Sequence, residues 1–243
     1  MFLVNIDPIP TSVGNISQGN NLSKVIDPKD IDAMKMRSSF SVICKIERIR
    51  DILETELQQG ATTIRCAGIR LYPANENFDR TTSPIPSFLA IAVDENGRDM
   101  VPDDQNALPC HIFKTDGEVK KVTIQTSIDM INKMRPNFNS GTVFSPFSSS
   151  VGSILDDDNN VVVTSRDYFK ATFTRQTIES VMTSGAINVR FDVVHLNEKG
   201  LARTLKTLAA SPADSNGNII GNDNSQLSLL PCPPSCHGGA YID

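Results

Sequence analysis

The residues best suited to metal or redox chemistry lie at two separate points of the chain. Cys110 is followed by His111, and the segment 232–237 reads Cys-Pro-Pro-Ser-Cys-His. Thiolate and imidazole groups in a tetrahedral arrangement are ligands that zinc prefers, and Cys-x3-Cys is an acceptable ligand pair. We therefore consider Cys110, Cys232, Cys236 and His237 as a zinc site, and we expect no other cofactor.

Two other interpretations of these cysteines stay open. Cys232 and Cys236 could form a disulfide or a redox pair without any metal. Unliganded thiols are the plainest interpretation and the favoured one, because the second ligand pair of common zinc motifs is missing and the adjacent Cys110 and His111 cannot easily bind one ion together.

A stretch rich in phenylalanine is the first candidate for partner binding. Phe138, Phe144 and Phe147 lie within residues 136–166, where the sequence has no helical or strand periodicity. The composition predicts a loop. Because three phenylalanines are too apolar for a free linker, we predict that this loop docks on its own unit or on a protein partner. Coverage of a sheet edge is the alternative.

The elements that must position these residues occur twice along the chain. The matching segments are Met36-Arg37 and Met134-Arg135, Phe40-x-Val42-x-Cys44 and Phe169-x-Ala171-x-Phe173, Gly60-Ala61 and Gly185-Ala186, Ile64-Arg65 and Val189-Arg190, Asp94-x-Asn96-Gly97 and Asp214-x-Asn216-Gly217, and Leu108-Pro109-Cys110 and Leu230-Pro231-Cys232. The same order in both places predicts two diverged copies of one unit. Arg65 and Arg190 then become candidates for binding an anion or a partner carboxylate, with solvated or ion-paired arginines as the plainer alternative.

Each copy shows the same succession of hydrophobic periods. A helix is predicted after Asp27-Pro28 in the first copy and after a Thr123 cap in the second. Alternating apolar residues then predict a strand, and helical spacing predicts a helix that ends at Gly60 or Gly185. Two strands follow, and the second enters the Asp-x-Asn-Gly turn. The predicted fold class is α+β, with two tandem homologous units, each with helices packed on a largely antiparallel sheet.

The repeat also predicts the domain organisation. The expected parts are a polar N-terminal tail at 1–23, a first α+β unit at 24–113, a linker at 114–121, a second α+β unit at 122–236 with a loop insertion at 136–166, and a C-terminal tail at 237–243. Each unit is just large enough for its own core, so we predict two packed domains. Cys44 and Cys66 fall on apolar strand positions and are expected in the core.

The same residues resemble a known group of proteins. The element order, Val189-Arg190 in a strand, the Asp-x-Asn-Gly turn and the terminal Cys-Pro-Pro-x-Cys resemble a family of small uncharacterised Bacteroidota proteins, in which a single unit ends in that signature. The resemblance implies tandem units over about 24–113 and 122–236. The first ending, 108–111, lacks the second cysteine. The family implies no activity for this chain.

Composition and charge exclude several classes. The 243 residues carry 23 Lys and Arg against 28 Asp and Glu, a net charge of −5. A protein that binds the nucleic-acid backbone needs clustered positive charge, so we expect no nucleic-acid partner. Residues 1–8 lack the basic start of a signal peptide, and no apolar run reaches the roughly twenty residues that span a bilayer. We therefore predict a soluble cytoplasmic protein without membrane insertion.

The functional expectation follows from what the sequence contains. It holds no phosphate loop, dinucleotide fingerprint, nucleophile elbow or metalloprotease helix. Duplication and an aromatic insertion favour a non-enzymatic protein-interaction or scaffold module in a larger assembly, with another protein or a second copy as partner. The alternative is a zinc-thiolate or redox protein that uses the unit-end cysteines.

Overall fold

Three helices and fourteen strands make up the described part of the chain. The computed structural model describes residues 25–26, 37–76, 86–139, 154–155, 161–164, 170–182, 185–197, 203–221 and 225–228. In chain order the elements are β1 (Val25–Ile26), β2 (Arg37–Lys45), α1 (Ile46–Leu53), β3 (Glu56–Gln59), β4 (Thr62–Arg65), β5 (Gly68–Asn75), β6 (Pro86–Val93), β7 (Cys110–Phe113), β8 (Val119–Val122), α2 (Ile124–Asn139), β9 (Ile154–Leu155), β10 (Val161–Thr164), β11 (Ala171–Thr174), α3 (Arg175–Val181), β12 (Asn188–Asn197), β13 (Arg203–Ala213) and β14 (Ser225–Leu227). The α+β class is as predicted.

These strands form two large sheets and one separate hairpin. Sheet one is built around β13, which pairs with β12, β10 and β14; β12 also pairs with β2, β14 with β1, and β10 with β9. Sheet two has the order β11-β5-β6-β7-β8, and β3 pairs only with β4 among the described strands. The β10–β13 pairing is parallel. The other described pairings are antiparallel.

Each large sheet contains strands from both ends of the chain. The early strand β2 pairs with the late strand β12, placing Cys44 opposite Val189. The late strand β11 pairs with the early strand β5, placing Phe173 opposite Ile69. The two pairings are reciprocal, so neither sheet is complete without both halves. This differs from the two separately packed domains expected from the repeat.

One apolar core lies between the two large sheets. The Phe191 ring of sheet one stacks on Phe113 of sheet two at 5.8 Å and meets Phe173 at 5.6 Å between centroids. The inward faces of α1 and α3 add five fully or almost fully buried residues, Ile49, Ile52, Leu53, Ile178 and Val181. Burying one such side chain contributes about 1.5–3 kcal/mol. Cys44 and Cys66 belong to this core, which confirms their predicted place.

A second core lies on the other face of sheet two, under α2. Strands β5 and β6 present Tyr72, Leu89 and Ile91 on this face, where Met130 and Ile131 of α2 pack. The helix begins as predicted, because Thr123 Oγ1 accepts the Thr126 amide at 3.2 Å. It then continues to Asn139, beyond the predicted start of the loop at 136.

Two segments differ from the sequence interpretation. The helix predicted to end at Gly60 stops at Leu53, and Leu57 lies in β3. Gly60 takes a φ of 61° in the turn between β3 and β4, where glycine avoids the steric cost of the left-handed region. The segment 114–121, predicted as a linker, forms a turn and most of β8, closed by the Lys114 amide on the Glu118 carbonyl at 3.2 Å.

Candidate functional site

The two Asp-x-Asn-Gly motifs form turns, as predicted. Asp94 Oδ1 accepts the amides of Asn96 and Arg98 at 2.9 and 2.8 Å. Asp214 Oδ1 accepts the corresponding amides two and four residues later at 2.8 and 2.9 Å. These hydrogen bonds lower the pKa of Asp214. Each carboxylate therefore fixes the turn that follows β6 or β13.

A buried polar network holds the first of these turns. Arg70 Nη1 donates to Asp99 Oδ1 at 2.7 Å, and Arg70 Nη2 donates to the Gly97 carbonyl at 2.6 Å. The Tyr72 hydroxyl donates to Asp99 Oδ2 at 2.5 Å, and Arg70 Nε donates to Thr172 Oγ1 at 3.0 Å. Burial raises the pKa of Tyr72, and the negative charge of Asp99 raises it further. The network joins β5, β11 and the turn.

Arg190 has the same relation to the second turn. Its Nη1 donates to the Gly217 carbonyl at 3.3 Å, and its Nε donates to Asp192 Oδ1 at 2.9 Å. Arg190 and Gly217 are 27 residues apart, as are Arg70 and Gly97. In its turn contact, Arg190 therefore resembles Arg70 and not Arg65, the residue matched to it from sequence.

Arg65 lies on the hairpin formed by β3 and β4. Its Nε donates to Glu56 Oε1 at 3.1 Å, and both side chains are exposed. The same outer face carries a second cross-strand pair, Gln58 with Thr63, at 2.9 Å. Leu57 and Ile64 point to the opposite face and pack against the main core. Arg65 thus has the ion pair that we considered as the plainer alternative, and its contact with a partner stays a prediction.

A groove of about 620 Å³ runs beside this hairpin. One wall is the continuous segment 62–67, which comprises β4 and the link to β5. The other lining residues belong to the turn at 94–96 and to α3, where they are Arg175, Gln176 and Glu179. Both positively and negatively charged side chains line the groove, among them Arg65, Glu95 and Glu179. This groove therefore brings the exposed strand β4 together with charged side chains.

Arg175, the first residue of α3, lines the groove and forms hydrogen bonds with the segments around it. Its Nε and Nη2 donate to the Cys66 carbonyl at 3.2 and 3.1 Å, and Nη2 also donates to the Leu53 carbonyl at the end of α1. Its Nη1 donates to Glu179 Oε1 at 3.2 Å. One guanidinium therefore ties two helices and the link before β5. No local sequence pattern marks Arg175 as a site residue, because its partners are 109 and 122 residues away.

Three of the five cysteines lie in the described part of the chain. Cys44, Cys66 and Cys110 are buried and outside any disulfide. Burial raises the pKa of Cys110 to about 12, although a hydrogen bond with Ser127 opposes the shift. Without a metal ion, Cys110 is therefore a protonated thiol at neutral pH, and a bound zinc ion would have to displace that proton. In the described ranges, no group of three or more His, Cys, Asp and Glu side chains could hold a metal ion.

The remaining predicted site residues fall outside the described structure. They are Cys232, Cys236, His237, Phe144 and Phe147. Phe138 lies in α2, but its side chain is not among those described. The zinc site, the cysteine pair and the aromatic docking segment therefore stay predictions.

His111 is a buried imidazole next to Cys110. It is 5% exposed, and its Nδ1 has no hydrogen-bond partner among the described residues. Burial lowers the pKa of His111 to about 4, and the positive charge of Lys121 on β8 acts in the same direction. Asp51 of α1 raises this pKa, and Arg48 of the same helix lowers it. The imidazole is therefore neutral at physiological pH.

Acid is expected to destabilise the fold through His111. The pKa of 6.5 for an unperturbed histidine exceeds the folded value of about 4, so between these pH values the unfolded chain binds the proton more tightly. The free energy of unfolding therefore falls as the pH drops from 6.5 towards 4. By pH 4.5 the loss is about 2 kcal/mol. Urea unfolding of the native chain and of His111→Leu at pH 7 and pH 4.5 measures it. An equal loss in both proteins would refute this role.

None of the helices in the described part of the chain has the length and apolar character needed to cross a membrane. Comparison with protein-family models, with curated proteins and with solved structures found no match.

Proposed function

We propose that this protein is a non-enzymatic protein-interaction scaffold built from a duplicated α+β unit. The reciprocal pairing of strands is the observation that carries the proposal. Lys45, the residue before α1, pairs with Asn188 at the start of β12. Thr174, the residue before α3, pairs with Gly68 at the start of β5. In each half of the chain a strand leads into a helix, and an antiparallel pair of strands follows, β5 with β6 or β12 with β13. The strand before each helix pairs with the first strand of that pair in the other half, as two interlocked copies of one unit would.

The ionisable groups with the strongest interactions support a structural role. Arg70 and Asp99 have side chains that are 6% and 0% exposed, and their bonds hold a turn. Asp192 is likewise 0% exposed beside Arg190. A catalytic acid or base must reach its substrate directly or through one water. These groups instead stabilise the framework, as the core of a rigid scaffold requires.

The surface differs between the two copies at one conspicuous place. The first copy inserts the β3–β4 hairpin between α1 and β5. In the second copy α3 ends at Val181 and β12 begins at Asn188, which leaves too few residues for a comparable hairpin. Two similar units, of which only one carries such a hairpin, would present different surfaces to their neighbours. This asymmetry supports a scaffold that binds a protein partner on one side.

Partner capture tests the proposed function. The full chain is immobilised and exposed to lysate of cells that express it natively, and retained proteins are quantified by mass spectrometry. We expect a defined protein to be retained in stoichiometric amounts, and the double substitution Phe144→Ser with Phe147→Ser to reduce its retention. Leu108→Ser is the matched control, because Leu108 is an apolar side chain that is 49% exposed elsewhere. Retention of nothing beyond what heat-denatured chain retains would contradict the proposal.

A further inference from the structure

We propose that the groove beside β4 binds an extended, basic segment of a protein partner, which adds a third strand to the β3–β4 hairpin. The inference rests on the proposed scaffold function and names the surface and the chemistry of the partner. Strand addition to an open sheet edge uses main-chain hydrogen bonds for affinity and neighbouring side chains for specificity.

The register of the hairpin shows which backbone groups face the groove. Gln59 pairs with Thr62 across the turn, and the Cys66 amide donates to the Thr55 carbonyl at 3.1 Å. Hydrogen-bonded and non-hydrogen-bonded pairs alternate along an antiparallel ladder. Thr63 and Arg65 therefore direct their amide and carbonyl groups away from β3. Within the described part of the chain, no strand pairs with β4 on that side.

The groove lies on this same side of the hairpin. Its wall includes every residue of β4, whereas no residue of β3 lines it. A strand added to β4 would run about 4.8 Å away, between β4 and the wall formed by the turn and α3. A volume of about 620 Å³ leaves space for a short extended segment. The incoming strand would thus pair with Thr63 and Arg65 on one side and meet charged side chains on the other.

The charges of the groove favour a basic segment. Its two arginines already have partners: Arg65 pairs with Glu56, and Arg175 with Glu179 and two carbonyls. Glu95 on the turn is exposed and adds negative charge, whereas the buried Asp94 carboxylate is held by the turn amides, and the whole chain carries a net charge of −5. Lysine or arginine side chains along an incoming strand would therefore be attracted, and acidic ones repelled.

Compared with another edge of the molecule, the edge of β4 has less protection against pairing. Proteins commonly guard an edge strand with lysine, proline or a bulge. The edge strand β8 reads Val-Lys-Lys-Val, with both lysines exposed. Strand β4 reads Thr-Thr-Ile-Arg and contains neither lysine nor proline; its one charged residue, Arg65, is paired with Glu56 of the neighbouring strand. Its edge therefore remains suited to pairing with another chain.

Peptide binding to the full chain tests the proposal. The probe is a fluorescein-labelled seven-residue peptide of alternating valine and lysine, compared with its valine and glutamate counterpart by fluorescence anisotropy. We expect the basic peptide to bind more tightly, and Thr63→Pro to weaken it about tenfold by removing one main-chain donor and its neighbouring contacts. Proline is tolerated where the amide faces away from the ladder, so the hairpin should persist.

Two further variants make the result unambiguous. Lys121→Pro is the matched control, since its amide also points out from an edge strand, β8, and we expect unchanged binding. Glu95→Lys changes an exposed side chain and leaves the backbone hydrogen bonds intact. It therefore tests the charge preference of the groove even if Thr63→Pro unfolds the protein. We expect it to weaken binding of the basic peptide about fivefold and to reduce the preference over the acidic one.

Three outcomes would overturn the proposal. The first is that Thr63→Pro and the native chain bind the basic peptide with equal affinity. The second is that the native chain binds the acidic peptide more tightly than the basic one. The third is that the native chain forms a dimer that Thr63→Pro abolishes, because a second copy would then be the occupant. If Thr63→Pro captures the same partner as the native chain, the edge is wrong and the scaffold function stands. If the native chain captures no partner, the scaffold function itself fails.

Discussion

Replacing Asp99 with alanine is expected to lower the free energy of unfolding by about 3–5 kcal/mol, because the change leaves a buried guanidinium without its counter-charge. Arg70 Nη1 lies 2.7 Å from Asp99 Oδ1, and the two side chains are 6% and 0% exposed. The same change removes the acceptor of the Tyr72 hydroxyl. Urea unfolding at pH 7, followed by circular dichroism, measures the loss.

A pair on the surface supplies the control for Asp99. Arg65 and Glu56 are joined at 3.1 Å, but their side chains are 80% and 49% exposed. Glu56→Ala should therefore change the free energy of unfolding by less than about 1 kcal/mol. Arg70→Met combined with Asp99→Leu should recover much of the loss, since no buried charge is left without a partner. Equal effects of Asp99→Ala and Glu56→Ala would contradict the buried network.

Gly68→Ala should destabilise the protein by about 2–3 kcal/mol, although alanine is normally the better strand residue. A Cβ atom on Gly68 would collide with the carbonyl oxygen of Phe173 and lie 3.2 Å from the Cα atom of Thr174. Both obstacles are backbone atoms of β11, the strand that comes from the other half of the chain. The added methyl can be accommodated only by moving β11 away from β5. Thermal and urea unfolding measure the effect.

Gly60 provides the comparison for this substitution. It has a φ of 61° in the hairpin turn, and a Cβ atom there meets nothing within 4 Å. Gly60→Ala should therefore cost only the strain of the left-handed backbone, about 1 kcal/mol. If Gly68→Ala is as stable as the native chain or more stable, β11 does not pack against β5 as described.

Local features of the fold could be predicted from the sequence because their causes are local. The Thr123 cap, the Asp94 and Asp214 turns, and the burial of Cys44 each depend on residues a few positions apart or on strand alternation. Side-chain oxygens accept nearby amides in such turns and caps whatever the rest of the chain does. These predictions were confirmed.

The end of helix α1 shows where a local sequence pattern fits two structures. Leu57 follows Leu53 by four residues, a spacing that suits a helical face and predicts a helix that continues to Gly60. The same Leu57 suits the inner face of a hairpin, because Ile64 lies opposite it and both pack on the core. Threonine and isoleucine in 62–64 favour strand, and Gly60 supplies the turn. Packing decided between the two patterns.

The candidate site depended on contacts that no local pattern reveals. Arg70 reaches Asp99 across 29 residues, and Arg175 reaches Leu53 across 122. Matching residues between the repeats placed Arg190 with Arg65, because Gly60-Ala61 and Gly185-Ala186 look alike. In the fold, Arg70 and Arg190 make the similar contacts, because each donates to the carbonyl of a turn glycine, Gly97 or Gly217.

The halves of the chain should remain associated after the connection between them is cut. A specific protease recognition sequence inserted after Ser145 allows cleavage of the folded full chain between α2 and β11. Because β2 completes the sheet of β12 and β11 completes the sheet of β5, we predict that the two pieces co-elute as one complex in native gel filtration and separate only in denaturant. Separation of the cleaved pieces under native conditions would contradict the shared sheets on which the scaffold proposal depends.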